Sequence, residues 1–146
     1  MGNPMKEKVM LDRIEMSMEL EQVFRLILRQ IRKDLTEIWG DQINGAEFGV
    51  LKKLHKSPQI ITALAQEFDV SVSHITHVAD QLEKKNLVYR QRSQLDKRVV
   101  ELHLTDQGKE MIQKLADQKS EYFRKKFENL STEELKTLLS LLHKVI

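Results

Sequence analysis

The fold is decided by one stretch, residues 64–111, which reads LAQEFDVSVSHITHVADQLEKKNLVYRQRSQLDKRVVELHLTDQGKEM. In its first part, apolar side chains recur every three or four residues, as Ile75, Val78 and Leu82 do, and this spacing predicts helices. From Leu87 the period changes to two, and apolar side chains alternate with polar ones in VVELHL, residues 99–104. The stretch therefore predicts two helices followed by a hairpin of two matching strands.

Polar residues mark the junctions between these elements. Asp69-Val70-Ser71 is predicted to be a three-residue turn in which Ser71 is the N-cap of the second helix, and Thr105 is predicted to cap the helix after the hairpin. Asn44 with Glu47, and Ser131 with Glu134, have the spacing of capping boxes, so each pair predicts the start of a helix.

A long apolar stripe precedes this region. Residues 12–39 carry apolar side chains at helical spacing, and Gly40 interrupts the pattern. A helix of this length, roughly 40 Å at 1.5 Å per residue, exceeds the diameter of a small domain. We therefore expect part of its apolar face to be covered by something outside the local core. A second helix is predicted to end at Ser57-Pro58, and Ile60-Ile61 to form a short strand.

These elements define the expected fold class, which is mainly α (α+β). We predict a winged helix-turn-helix with long N- and C-terminal helices. The expected boundaries are an N-terminal helix at residues 1–43, a winged helix-turn-helix domain at 44–105 and C-terminal helices at 106–146.

Composition excludes several function classes. The 146 residues include no cysteine, so disulfides, thiolate zinc sites and cysteine redox switches are excluded. No Gly-rich phosphate loop, catalytic triad or catalytic carboxylate pair stands out, so we expect no enzyme activity, no cofactor and no bound metal. No apolar run approaches the roughly 20 residues of a membrane span, and the first residues lack a signal-peptide core. We expect a soluble, cytoplasmic protein without a membrane partner.

The second helix of the motif has a face suited to reading DNA. Opposite its apolar stripe lie Ser73, His77, Asp80 and Lys84, flanked by His74 and Thr76. Short hydrogen-bonding side chains near a helix N-terminus can reach base edges and phosphates in a major groove about 12 Å wide. Ser71 lies where free backbone N–H groups could meet a phosphate. The helix alone is equally consistent with an ordinary solvated face.

Charge clustering favours the DNA-binding interpretation. The net charge is only +2, but residues 84–98 hold six basic side chains and one acid, a local +5, which leaves 2 − 5 = −3 for the rest of the chain. A basic segment on a slightly acidic body is typical of phosphate contact. The basic residues are Lys84, Lys85, Arg90, Arg92, Lys97 and Arg98.

The motifs resemble the winged helix-turn-helix of the MarR/SlyA family. Asp96-x-Arg98 followed by LHLTDQG, residues 102–108, is similar to the family's D-x-R and L-x-L-T-x-x-G signature. LEKKNLVYR, residues 82–90, resembles its L-E-x-x-G-L-V-x-R run, with Asn86 at the usual glycine. Asn is the next-best residue in the left-handed conformation, so this departure is tolerable.

The resemblance implies a homodimeric transcription regulator, expected to be a ligand-responsive repressor that binds a pseudo-palindromic operator in double-stranded DNA. It makes residues 1–43 the N-terminal dimerisation helix, 44–105 the DNA-binding domain and 106–146 the C-terminal dimerisation helices. It places Arg98 in the minor groove, with Asp96 orienting a neighbouring arginine. A narrow minor groove favours arginine. The remaining expected DNA-binding residues are Ser71, Ser73, His74, Thr76, His77, Lys84, Arg90, Arg92 and Lys97. Asp80 departs from this picture, because on the groove side it would repel phosphate unless a basic neighbour pairs with it.

The sequence contains residues for two further candidate sites, a metal site and an effector site. His74 and His77 have a spacing that can chelate metal, but a metal site is the minor alternative. The family also implies a small aromatic or phenolic effector, and the residues that could line its crevice are Trp39, Ile43, Phe48 and His55. Plain core packing is the favoured alternative for Trp39 and Phe48. Two other functions stay open: a winged-helix protein-interaction module and a non-specific architectural DNA binder.

Overall fold

The structure is a computed structural model, and it describes residues 2–146. Its contacts divide the chain into two units, Met1–Gly40 and Asp41–Ile146. None of the helices in the described range combines the length and the apolar character that a bilayer crossing requires.

The first unit is one helix, α1, at Pro4–Trp39. It starts eight residues before the predicted stripe, because Asn3 accepts a hydrogen bond from the Met5 N–H and Pro4 occupies the first turn, where its missing N–H needs no partner. The predicted end is confirmed. Gly40 adopts φ 57°, and its N–H still bonds to the Thr36 carbonyl at 2.9 Å.

The second unit contains five helices and three strands in the predicted order. The helices are α2 (Gly45–Lys56), α3 (Ile61–Phe68), α4 (Val72–Lys84), α5 (Asp106–Lys126) and α6 (Thr132–His143). The strands are β1 (Gln59–Ile60), β2 (Val88–Arg92) and β3 (Val100–Leu104). The fold class is thus confirmed, with two small differences: Ile61 opens α3 instead of extending β1, and α6 ends before Val145.

The predicted caps are formed. In α2 and α6 the capping boxes are complete, with reciprocal bonds between Asn44 and Glu47 and between Ser131 and Glu134. The Ser71 hydroxyl accepts from the His74 N–H at 3.0 Å, and the Thr105 hydroxyl accepts from the Gly108 N–H at 2.9 Å. These helix starts were readable from sequence because a cap needs only residues three positions apart.

The strands form one antiparallel sheet with the order β1-β3-β2. Strands β2 and β3 make the predicted hairpin, in register from Val88 opposite Leu104 to Arg92 opposite Val100. The short β1 pairs with the other edge of β3, with Gln59 opposite Leu102. The sheet is therefore one strand wider than the wing itself, and β1 ties the base of the hairpin to α3.

The core of the second unit lies between α2, α3, α4, α5 and the base of the hairpin. The alternation predicted for β3 is confirmed at the base of the strand, where Leu102 and Leu104 are buried and Glu101 and His103 are only partly buried. Val100, which was expected on the buried face, lies nearer the tip and is exposed. Its largest fully buried side chains come from every one of these elements: Leu51, Leu64, Ile75, Leu82, Leu87, Leu102 and Leu115. Helix α4 and the wing are thus anchored in the same core.

Left-handed residues on both sides of α4 and a close contact at the start of α5 set the geometry around α4. Asp69 (φ 54°) and Asn86 (φ 62°) are the non-glycine residues with left-handed backbone in the described chain, one before α4 and one after it. The prediction for Asn86 is confirmed. At the start of α5, a Cβ on Gly108 would collide with the carbonyl oxygen of Leu87, so this helix can approach β2 so closely only with glycine there.

Candidate nucleic-acid interface

Helix α4 presents one buried and one exposed face. Ile75, Val78, Ala79 and Leu82 are buried, which confirms the predicted anchoring stripe. The residues expected to face DNA are all on the solvent side: Ser71, Ser73, His74, His77 and Lys84 are exposed, as is Asp80, and Thr76 is partly exposed. The helix is therefore fixed by its apolar side and free to enter a groove with its polar side.

The segment between β2 and β3 forms a closed, protruding tip. The Ser93 N–H donates to the Val99 carbonyl at 2.8 Å, and the Val99 N–H donates to the Asp96 carbonyl at 3.0 Å. Leu95 at the end of the tip is completely exposed. The wing is thus held by its own backbone bonds, without packing at its end.

Asp96 and Arg98 form a compact pair on this tip. Asp96 Oδ1 accepts from the Arg98 backbone N–H at 3.0 Å and from its Nε at 3.1 Å, while Oδ2 accepts from Nη2 at 3.2 Å. Bonding to the Arg98 side chain, and then to its backbone, lowers the pKa of Asp96. The Arg98 side chain is 91% exposed. The carboxylate thus orients the guanidinium while leaving it open to solvent.

The other cations of the wing differ in their surroundings. Arg92 Nη1 donates to the Lys97 carbonyl at 3.2 Å, which braces the two sides of the hairpin, and the Lys97 side chain is exposed. Lys84 is exposed at the end of α4. These three side chains and Arg98 are available at the surface.

Arg90 has a different environment from the one expected. Its Nη2 donates to Asp80 Oδ1 at 2.7 Å, and its Nη1 pairs with Glu83. The guanidinium from β2 is thus held against two acids of α4. Arg90 is thus the basic neighbour that Asp80 needs on the groove side of α4. The expected role of Arg90 at the DNA backbone stays a prediction.

Lys85 points away from the basic surface. Its Nζ donates to Glu47 Oε2 at 2.8 Å and to the Gln42 carbonyl at 3.1 Å. Glu47 is buried, and its other oxygen completes the α2 capping box. In the sequence, Lys85 belongs to the basic cluster and Glu47 is expected only to cap α2. The two residues are 38 positions apart in the chain, so no local pattern predicts the pair, which joins the end of α4 to the start of α2.

The four residues named for an effector crevice are only partly brought together. Phe48 and His55 line a cavity of about 350 Å³ between α2 and α5, together with Lys52 and Lys119. Ile43 and Trp39 are buried and are not part of the lining, and Trp39 is the last residue of α1.

Cations surround the apolar floor of this cavity. Lys119 Nζ lies 4.8 Å from the centroid of the Phe48 ring. Partial burial, and secondarily the charge of Lys52, lowers the pKa of Lys119. The cavity is therefore amphipathic, with an aromatic surface next to positive charge.

The pair His74 and His77 lies on the exposed side of α4. Across residues 2–146, no three histidine, aspartate or glutamate side chains are grouped so that they could hold a metal ion.

Comparison with known proteins places these features in context. The model of the MarR family matches residues 43–100, which span α2 to the wing. The HTH-type transcriptional regulator YpoP of Bacillus subtilis (strain 168) is 35% identical over 134 residues, covering 91% of this chain and 95% of that protein. The HTH-type transcriptional repressor MdtR of the same strain is 30% identical over 92 residues, 62% of this chain and 59% of MdtR.

A solved structure has the same fold. The structure of a MarR family protein from Bacillus stearothermophilus superposes with a TM-score of 0.78 at 24% identity, covering 90% of this chain and 93% of that one.

Proposed function

Since the chain belongs to the MarR family and is a DNA-binding transcriptional regulator, we propose that it binds pseudo-palindromic operator DNA as a homodimer and represses transcription until a small ligand releases it. MdtR, a relative over about three-fifths of this chain, is a transcriptional repressor. In this proposal the protein acts in the cytoplasm and has no enzymatic activity.

One observation carries the proposal: an anchored helix with a polar outer face stands beside a protruding cationic wing. The polar face of α4 fits a major groove, where Ser73, Thr76 and His77 would meet base edges. Ser71 and His74, at the start of the helix, would approach a phosphate, because the first backbone N–H groups of a helix favour anions. These roles belong to the side chains that the fold leaves exposed.

In the wing, Arg98 would enter the adjacent minor groove. Its guanidinium is oriented by Asp96, so little side-chain entropy is lost when it binds. A narrow minor groove concentrates negative potential and attracts arginine. The Asp96 carboxylate would stay at the rim, bonded to Arg98 rather than to DNA.

Phosphate contact would come from Lys84, Arg92 and Lys97, whose side chains face solvent. Arg90 would contribute less to the electrostatic attraction, since two carboxylates offset its charge. The net positive charge at the interface is therefore smaller than the local sequence charge. We expect the slope of log K against log salt to be correspondingly less steep.

The homodimer is supported by apolar side chains that each unit leaves in solvent. Along α1 these include Leu11, Ile14, Leu20, Phe24 and Leu28; in and after α6 they include Leu138, Leu139, Leu141, Val145 and Ile146. Exposed apolar residues in such numbers are typical of surfaces that another chain covers. The terminal helices are thus the proposed dimerisation elements.

The proposed effector is a small aromatic or phenolic molecule. The cavity beside Phe48 and His55 has about 350 Å³, within the range of roughly 300–1,000 Å³ typical of small-molecule sites. Its aromatic floor suits a ring, and Lys52 and Lys119 suit a phenolate or another anionic substituent.

Selection from a library of random duplexes tests the central claim. The full-length protein should enrich a pseudo-palindrome and bind it about a thousandfold or more tighter than a scrambled duplex at physiological salt. Tight binding without sequence preference would instead indicate an architectural DNA binder. Absence of DNA binding, with a protein captured in pull-downs, would indicate an interaction module.

A further inference from the structure

Asp80 is an acid in the middle of the exposed face of α4. It lies one turn after His77 and one turn before Lys84, on the side opposite the buried stripe. A lone carboxylate in this position would be repelled by the phosphates on both sides of a groove. Arg90 removes this obstacle, because its Nη2 bonds to Asp80 Oδ1 at 2.7 Å.

The same contact orients the carboxylate. Arg90 reaches Asp80 from β2 and is itself held by Glu83, so the guanidinium approaches from the wing side. Oδ2 accepts no hydrogen bond from any of residues 2–146, and the side chain is half exposed. Asp80 therefore presents one free, oriented acceptor on the face that would enter the groove.

A carboxylate acceptor discriminates between bases. In the major groove only cytosine N4 and adenine N6 are amino donors, whereas guanine O6 and thymine O4 are acceptors that would repel it. Beside N6, adenine also carries the acceptor N7, which disfavours an anion, whereas cytosine has only a C–H beside N4. The best match for Asp80 is thus cytosine.

We propose that Asp80 is a specificity-determining residue that accepts a hydrogen bond from the N4 amino group of one cytosine in each operator half-site, and that Arg90 is its positioning residue. This inference rests on the proposed function, since it requires sequence-specific binding through α4. It adds to that function the base that is recognised and the atom of that base that donates the hydrogen bond.

The test repeats the selection from random duplexes with four full-length proteins: wild type, Asp80→Asn, Asp80→Ala and Glu83→Gln. Wild type should select a cytosine at one symmetric position of each half-site. Asp80→Asn should change that position to adenine, because an asparagine amide pairs with N6 and N7 together, and should leave the other positions unchanged.

The alanine variant gives a quantitative comparison on the duplex selected by wild type. Wild type should discriminate about tenfold or more against the other three base pairs at the cytosine position, and Asp80→Ala should bind all four within about twofold. Glu83→Gln is the matched control, since it removes the other acid paired with Arg90 but lies about 60° around the helix from Asp80. It should keep the wild-type motif.

The outcomes separate the two claims. If wild type enriches no sequence, the proposed function fails and this inference fails with it. If wild type has a motif that both Asp80 variants retain, only the role of Asp80 is overturned. Loss of all binding by both variants, with normal binding by Glu83→Gln, would assign Asp80 a purely structural role and also overturn it.

Discussion

At the scale of single residues, the pairing of charges decides which cations can reach DNA. The basic cluster contains six cations in sequence, but in the structure they fall into different classes. Lys85 is turned inward to Glu47, Arg90 is held by two acids, and Arg98 is oriented by Asp96 yet open to solvent. Arg98 is therefore the cation that is both oriented and exposed, and its substitution tests the proposed role of the wing most directly.

Arg98→Ala should weaken binding to the selected operator by about 1–3 kcal/mol and reduce the slope of log K against log salt by about one unit. The reason is the loss of one minor-groove cation and its counterion release. Fluorescence anisotropy across a series of salt concentrations measures both. Arg124→Ala, which removes another exposed, acid-paired arginine on α5, is the control and should change neither. Equal affinities of Arg98→Ala and wild type at every salt concentration would rule out the minor-groove role.

The Asp96–Arg98 pair also predicts a pH dependence. The pKa of Asp96 is lowered from its ordinary value of 3.8, so the carboxylate should hold Arg98 at neutral pH and release it only as the pH falls through the lowered value. The sign follows because protonation removes the acceptor charge. Carbon-detected NMR of the Asp96 carboxyl should give a midpoint below 3.8 in wild type.

In Arg98→Ala this midpoint should rise toward 3.8, but only in part, since the backbone N–H of residue 98 still donates. Arg124→Ala should leave it unchanged. A wild-type midpoint at or above 3.8 would contradict the pair in solution.

At the scale of secondary-structure elements, α4 is positioned by contacts at both of its ends. Its start is capped locally by Ser71, whereas its end is joined to α2 through Lys85, Glu47 and the Gln42 carbonyl. Glu47 is buried, so its charge depends on Lys85 for compensation. This ion pair should therefore contribute more than an ordinary surface pair.

Lys85→Met should lower the free energy of unfolding by about 1–3 kcal/mol, because it leaves the buried Glu47 carboxylate without its charged partner. The matched control is Lys53→Met, which breaks the Lys53–Glu67 pair, whose acid is 47% exposed. Its effect should stay within about 1 kcal/mol. Urea unfolding followed by circular dichroism compares the two. Equal losses in both variants would show that the burial of Glu47 adds nothing.

At the scale of the whole molecule, the terminal helices expose apolar side chains that a partner surface should bury. Those of α1 and of α6 are left in solvent within their own units, and the pseudo-palindromic operator proposed above would require a protein with two-fold symmetry. A second copy of the chain would meet both requirements at once.

Sedimentation at micromolar concentration should therefore give twice the chain mass of 17.2 kDa. Phe24→Asp combined with Leu28→Asp should raise the dimer dissociation constant on the order of a hundredfold or more, since each buried apolar side chain contributes about 1.5–3 kcal/mol. Gln22→Asp with Arg29→Asp places two acids on the other side of α1 and should have a smaller effect. A wild-type monomer would contradict the role given to these helices.

The helices and strands can be predicted from the sequence alone, because the signals for them are local. The period of apolar residues, the caps at Asn44, Ser71, Thr105 and Ser131, and the left-handed Asn86 each depend on residues a few positions apart. The family motif at Asp96-x-Arg98 is equally local. The winged helix and the exposed polar face of α4 could therefore be predicted.

Which charged side chains pair with one another depends on the tertiary structure. Glu47 and Lys85 are 38 residues apart, and Arg90 lies on a strand while its acids lie on a helix, so no periodicity or spacing rule connects them. Close approach in space depends on how α2, α4 and the hairpin pack on their shared core. The strength of a Coulomb interaction depends on the distance between the two charges in space and not on their separation along the chain. For this reason the six cations of the sequence cluster fall into two groups in the folded protein. Four are exposed, one of them oriented by Asp96, and two are held against carboxylates of α2 and α4.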